Sequence, residues 1–174
     1  MHKKKLLFLI SIECYFDLIL QRNTEDNSLI NFHAMGTHFW TKYDRDGYDS
    51  VKSWIREDIN IFEKDAFFVP MHFGNHWALT IFDFRGRRAC CYDSLGIDRS
   101  NQLSKMMEYL KLEQNRTGRL DYDLSNIEIV DSQKAPGECI ARFYFSQKLD
   151  TCSFNTKIFL SIFFSSAMEI DKRR

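Results

Sequence analysis

Val69-Pro70-Met71-His72-Phe73-Gly74-Asn75-His76-Trp77-Ala78-Leu79-Thr80-Ile81-Phe82-Asp83-Phe84, followed closely by Ala89-Cys90-Cys91-Tyr92-Asp93-Ser94-Leu95-Gly96, is the stretch that decides the fold of this chain. Residues 77–84 are aromatic and β-branched, 85–88 read Arg-Gly-Arg-Arg, and 89–92 return as a second β-prone run, which predicts a hairpin. Upstream, residues 66–70 form a short apolar run ending in proline and predict a strand that stops there. His76 stands where a loop enters the first hairpin strand, and Asp93 where its partner leaves the second. Counted from Gly86, the two fall close to opposite each other, within a few residues of register. A histidine beside a carboxylate is the base-plus-orienter half of a nucleophilic triad. Spacing alone equally describes a structural His–Asp pair at a strand end.

Outward from the hairpin the periodicity becomes helical. Ile12, Tyr15, Phe16, Ile19 and Leu20 share one face of a helix over residues 12–22. Residues 32–40, with His33 and His38 among aromatics, read as a short helix. After Gly47, the spacing of Tyr48, Val51, Trp54 and Ile55 predicts another. Leu103, Met106, Met107 and Leu110 mark an amphipathic helix entered at Asp98 or Ser100, and residues 126–130 read as one more strand. Helices, a hairpin-containing sheet, then a helix and a strand make an α+β order rather than a βαβ alternation.

The 174 residues predict a single domain over 1–174, large enough to bury a core without disulfide or metal staples. Lysine plus arginine and aspartate plus glutamate number 24 each, so the chain lacks the basic excess of a phosphate-backbone binder, and no nucleic-acid partner is expected. Cys14, Cys90, Cys91, Cys139 and Cys152 are an odd set with no regular spacing, which fits a reducing intracellular compartment, nucleus or cytoplasm. No C-x-x-C occurs, and neither metal nor cofactor is implied. Residues 1–12 mimic a signal peptide with a basic start and an apolar run, but no small-residue cleavage site follows. The apolar residues 158–168 are about half the length of a membrane span, so burial or disorder is expected there and no membrane partner.

The central stretch resembles the SUMO-specific cysteine proteases, the Ulp/sentrin-protease family. The family pattern runs V-P-I-H-x-x-x-H-W-x-L-x-x-x-D and then Y-Y-D-S-x-G; this chain has V-P-M-H-F-G-N-H-W-A-L-T-I-F-D and C-Y-D-S-L-G. Phe39-Trp40-Thr41-Lys42 and the stretch from Gly47 to Trp54 resemble its F-F-T-K and G-Y-x-x-V-K-R-W, and residues 106–111 its L-x-Y-L-K helix. The resemblance is strongest over residues 15–136. It implies a papain-like α+β fold of the Ulp/adenain type and cleavage after the C-terminal Gly-Gly of SUMO or a related modifier, in deSUMOylation or precursor maturation. SUMO and its conjugates are the implied partners, and the protein is expected to be a monomer. By the same resemblance His76 matches the catalytic histidine and Asp93 the catalytic aspartate. Trp77 matches a wall of the tunnel that admits the side-chain-free diglycine.

Both ends depart from the pattern. Leu7-Phe8-Leu9-Ile10-Ser11 stands where the family has W-L-N-D, so the second tunnel tryptophan has no counterpart and residues 1–12 read as a divergent start of a family helix. The family's P-Q-Q-x-N-G-x-D-C-G faces Ser132-Gln133-Lys134-Ala135-Pro136-Gly137-Glu138-Cys139-Ile140. In one register Cys139 is the nucleophile and Gln133, six residues before it, serves the oxyanion hole, with Ile140 replacing a glycine. In the other, Ser132 to Pro136 matches an S-Q-x-x-P stretch and residues 137–140 a later A-D-C-I. The segment carrying the nucleophile is then absent, and the chain is an inactive or truncated relative that at most binds the modifier.

Overall fold

A computed structural model describes residues 12–14, 16–18, 20–21, 30–74, 76–93 and 95–130. Gln133, Cys139 and the apolar stretch 158–168 lie outside the described residues, as does most of the signal-like segment 1–12. The described part is a five-stranded mixed sheet in the order β1-β2-β3-β4-β5. The strands are β1 (Phe32–Ala34), β2 (Ala66–Phe73), β3 (His76–Asp83), β4 (Arg88–Asp93) and β5 (Glu128–Val130). β2, β3 and β4 form an antiparallel meander, while β1 and β5 add in parallel at its two sides. The helices are α1 (described residues 12–14, 16–18 and 20–21), α2 (Phe39–Asp46) and α3 (Ser100–Thr117).

The central strands read as nearly continuous apolar runs because both faces of the sheet are covered. One face carries Phe67, Val69, Met71, Ala78, Phe82, Ala89 and Cys91, packed with Phe39 and Trp40 of α2 and Leu103, Met106, Tyr109 and Leu110 of α3. The other carries Ala66, Phe68, Trp77, Leu79, Ile81 and Cys90 against Ile12 and Phe16 of α1 and Phe32 of β1. Each fully buried aromatic in these layers contributes on the order of 2–3 kcal/mol of burial. The α+β reading, the hairpin and α3 agree with the sequence, and Asp98 Oδ1 accepts from Ser100 N–H at the entry to α3.

Three local expectations are corrected. Residues 32–40 are not one helix: Phe32–Ala34 is a strand, and the helix begins at Phe39. The run after Gly47 is a 3₁₀ turn over Tyr48–Ser50 followed by turns, although Val51 and Ile55 are buried at the predicted spacing. Ser50 Oγ donates to the Gly47 carbonyl and Tyr48 Oη to Glu113 Oε2 on α3, so side-chain bonds hold this segment in turns. Finally, β2 does not stop at Pro70 but runs on to Phe73. β1 ends opposite Phe68, whose carbonyl accepts from Met35 N–H. Pro70, two residues on, faces the same way past the end of β1, so its missing N–H deprives no ladder bond.

The β3–β4 turn has a tight joint. Gly86 N–H donates to Asp83 Oδ1 at 2.7 Å, and a Cβ at position 86 would stand 2.3 Å from Asp83 Oδ2. Asp83 is buried and held by Arg88, so it cannot easily yield. Gly86→Ala is therefore expected to destabilise the domain by about 1–3 kcal/mol, read as a lower urea midpoint. An unchanged midpoint would mean that the turn relaxes freely.

Candidate active site

The β2–β3 connection is short, with Gly74 at φ +68° following Phe73, and it sets His76 at the first position of β3 opposite Phe73. Asp93 ends β4 and pairs with Ala78 rather than with His76. The two side chains therefore meet on the diagonal, two residues off direct opposition, on the sheet face that also carries Ala78 and Cys91. His76 Nε2 lies 2.6 Å from Asp93 Oδ1, with only 11 % of the His76 side chain and none of the Asp93 side chain exposed.

A carboxylate buried this completely needs a full set of donors. Asp93 Oδ1 also accepts from Leu95 N–H at 2.9 Å, and Oδ2 accepts from Arg99 Nε at 2.7 Å, with Arg99 Nη2 at 2.6 Å. Donors on both oxygens leave no place for a carboxyl proton, so Asp93 is an acceptor and Nε2 of His76 carries the hydrogen. In the neutral ring, Nδ1 is then the basic nitrogen, pointing away from Asp93. The arrangement can hold one imidazole tautomer and stabilise the imidazolium formed when Nδ1 takes a proton.

Arg99 was not legible from the sequence. It sits at the entry to α3, its guanidinium carbon 3.7 Å from the centre of the Phe73 ring. A signal existed: an arginine is a poor residue at a helix N-terminus, where it opposes the macrodipole and cannot cap. Trp77 is placed on the other face of β3 from His76. It is 5 % exposed, in the cluster beneath α1, its ring 4.6 Å from that of His72. The structure thus brings His76 and Asp93 together and sets Trp77 beside them in the chain but across the sheet.

β5 runs parallel to β4, with Val130 opposite Cys90. β5 therefore ends at Val130 on the side toward which β4 runs from Cys90 to Asp93, the end of the sheet that carries the His–Asp pair. Of the cysteines among the described residues, Cys14 is exposed while Cys90 and Cys91 are buried. Burial pushes the Cys91 thiol up to about 12, outweighing the opposing contact with the Thr80 hydroxyl. Neither Cys90 nor Cys91 is therefore expected to react with iodoacetamide in the native protein at neutral pH, and both should react after unfolding. Modification of either in the native state, seen by peptide mapping, would contradict this placement.

No helix among the described residues is long and apolar enough to cross a membrane, and no group of three or more potential metal-ligating side chains occurs among them. The "Ulp1 protease family, C-terminal catalytic domain" matches residues 11–139. That match reaches Cys139 and does not favour the register that lacks the nucleophile segment. Among curated relatives, a sentrin-specific protease of Caenorhabditis elegans is 33 % identical over 102 residues, 59 % of this chain and 14 % of the relative. Human sentrin-specific protease 2 is 29 % identical over 127 residues, 73 % of this chain and 21 % of that protein. The chain thus spans about a fifth or less of the length of these relatives. Among solved structures, a de-sumoylating protease superposes with a TM-score of 0.59 at 16 % identity, covering 91 % of this chain and 72 % of that one. The Ulp1 protease domain solved in complex with Smt3, the yeast ortholog of SUMO, gives 0.53 at 20 % identity, covering 79 % and 70 %. The fold is that of the Ulp protease domains. With the match spanning the hairpin that joins His76 to Asp93 and the strand beyond it, the chain belongs to the Ulp1 protease family.

Proposed function

We propose that this chain is a thiol peptidase domain that cleaves after the C-terminal Gly-Gly of SUMO or a SUMO-like modifier. The observation that carries the reading is the 2.6 Å contact between His76 Nε2 and Asp93 Oδ1, which leaves Nδ1 as the base. The family match through residue 139 supports Cys139 as the thiol it serves and Gln133 as its neighbour in the site. Eight residues, 131–138, separate β5 from Cys139; fully extended, the connection can span roughly 30 Å, ample to reach the sheet end where the pair lies.

In this mechanism Nδ1 of His76 takes the proton of Cys139, and the thiolate attacks the carbonyl carbon of the terminal glycine. The Gln133 amide and a backbone N–H donate to the oxyanion. Collapse breaks the C–N bond, the imidazolium gives its proton to the departing amine, and a thioester remains on Cys139. Water, deprotonated by Nδ1, hydrolyses it and frees the modifier. By the family resemblance Trp77, next to His76 in the chain and held by its packing under α1, contributes to the tunnel that excludes residues with side chains. No metal or cofactor takes part. The protein acts as a monomer, in nucleus or cytoplasm, on the modifier and its conjugates, and with no net charge it has no electrostatic pull toward nucleic acid.

The test is cleavage of a purified SUMO precursor extended beyond Gly-Gly, against a control with Ala-Ala in place of the diglycine. Cutting of the first and not the second is expected. Binding of the modifier without cleavage would favour an inactive relative.

A further inference from the structure

Arg99 makes one contact set that helix formation does not ask of it. Its side chain is 10 % exposed, and the guanidinium donates through Nε to Asp93 Oδ2 at 2.7 Å with Nη2 at 2.6 Å and lies over Phe73 at 3.7 Å. Its backbone is fixed by α3, since the Arg99 carbonyl accepts from Leu103 N–H at 2.9 Å. The capping at this helix start comes instead from Asp98, whose Oδ1 accepts from Ser100 N–H and Oγ. A cation beside the exposed N–H groups of a helix start is locally unfavourable. A residue that breaks a local rule while completing a buried carboxylate's bonds is best explained by that carboxylate. Phe73 adds the geometry: it pairs with His76 across the β2–β3 turn, so the ring under Arg99 and the imidazole beside Asp93 stand on neighbouring strands.

Resting on the reading of His76 and Asp93 as base and orienter, we propose that Arg99 is a positioning residue. It occupies Oδ2 and pins the carboxylate plane between α3 and Phe73. Oδ1 is thereby committed to Nε2–H of His76, and Nδ1 is kept as the basic nitrogen. Two donors converging on one oxygen while the cation lies over an aromatic ring suit a planar guanidinium and not an ammonium.

The test uses the ¹⁵N-labelled full chain and long-range ¹H–¹⁵N correlations of the His76 ring, assigned by comparison with His76→Gln, recorded over a pH series and read where the ring signals stop changing as the pH is raised. The parent should show the Nε2–H tautomer alone. Arg99→Met should show both tautomers, and Arg99→Lys, which keeps the charge and guards against a variant that fails to fold, an intermediate mixture. Precursor cleavage per folded molecule should fall in kcat by roughly 10- to 100-fold in Arg99→Met, with KM little changed. If both variants are less stable yet keep the pure Nε2–H signature, Arg99 only tethers α3 to β4 and the proposal is wrong. A parent ring bearing its proton on Nδ1 would overturn it as well. Should the parent not cleave at all, the proposed function fails, while the tautomer comparison still decides on Arg99.

Discussion

His76→Ala is expected to slow precursor cleavage by on the order of 10⁴-fold while leaving the protein folded. The size follows from the three duties that one ring performs. It takes the thiol proton, stabilises the thiolate as an ion pair, and returns the proton to the leaving amine. Folding should survive because alanine retains the β3 backbone ladder, and the carboxylate left behind keeps Leu95 N–H and the Arg99 guanidinium on its two oxygens. The check is a single-turnover cleavage assay at matched folded concentration, with urea unfolding alongside. Cleavage within tenfold of the parent would remove His76 from the mechanism.

Asp93→Asn is expected to harm both stability and activity, for a reason visible in the donor count. The parent carboxylate offers two acceptor oxygens, and four donor groups converge on them: His76 Nε2, Leu95 N–H, and Nε and Nη2 of Arg99. An amide offers one oxygen. If its NH₂ faces Arg99, donor meets donor around a buried cation. If it faces His76, the ring must turn its unprotonated nitrogen to it, and the proton moves to the nitrogen that should act as base. Neither orientation satisfies the site. Breaking a buried pair in this way costs about 3–5 kcal/mol, a drop in Tm of roughly 6–20 °C for a domain of this size. Cleavage by the surviving folded protein should fall on the order of 10³- to 10⁴-fold. Thermal unfolding and kcat separate the two losses. A variant that melts with the parent and cleaves normally would show that Asp93 neither orients nor neutralises its neighbours.

What was legible in the sequence followed from strong local chemistry. Aromatic and β-branched runs on either side of Arg85-Gly86-Arg87-Arg88 announced the β3–β4 hairpin, and the hairpin put His76 near Asp93. The spacing of Leu103, Met106 and Leu110 gave α3. What escaped was set by tertiary context. Three residues of β1 carry too little pattern to separate Phe32–Ala34 from the helix that starts at Phe39. Pro70 reads as a strand end until it is clear that β1 stops short of it. The turns at Tyr48–Ser50 depend on a hydroxyl bond to Gly47 and on Glu113, 65 residues away from Tyr48. Arg99 escaped for the same reason: its place at the start of α3 marks it as out of keeping locally, but only the fold shows its guanidinium turned back onto Asp93.

If the His76–Asp93 pair activates Cys139, a modifier carrying an electrophile at its C-terminus must be captured on that thiol. The full chain is incubated with SUMO bearing a C-terminal vinyl sulfone, and the adduct is mapped by peptide mass spectrometry. A single adduct on Cys139 is expected, absent in Cys139→Ser and nearly absent in His76→Ala. Cys14, Cys90, Cys91 and Cys152 should remain unlabelled. Labelling that persists in Cys139→Ser, or no adduct from folded protein that demonstrably binds the modifier, would contradict that activation.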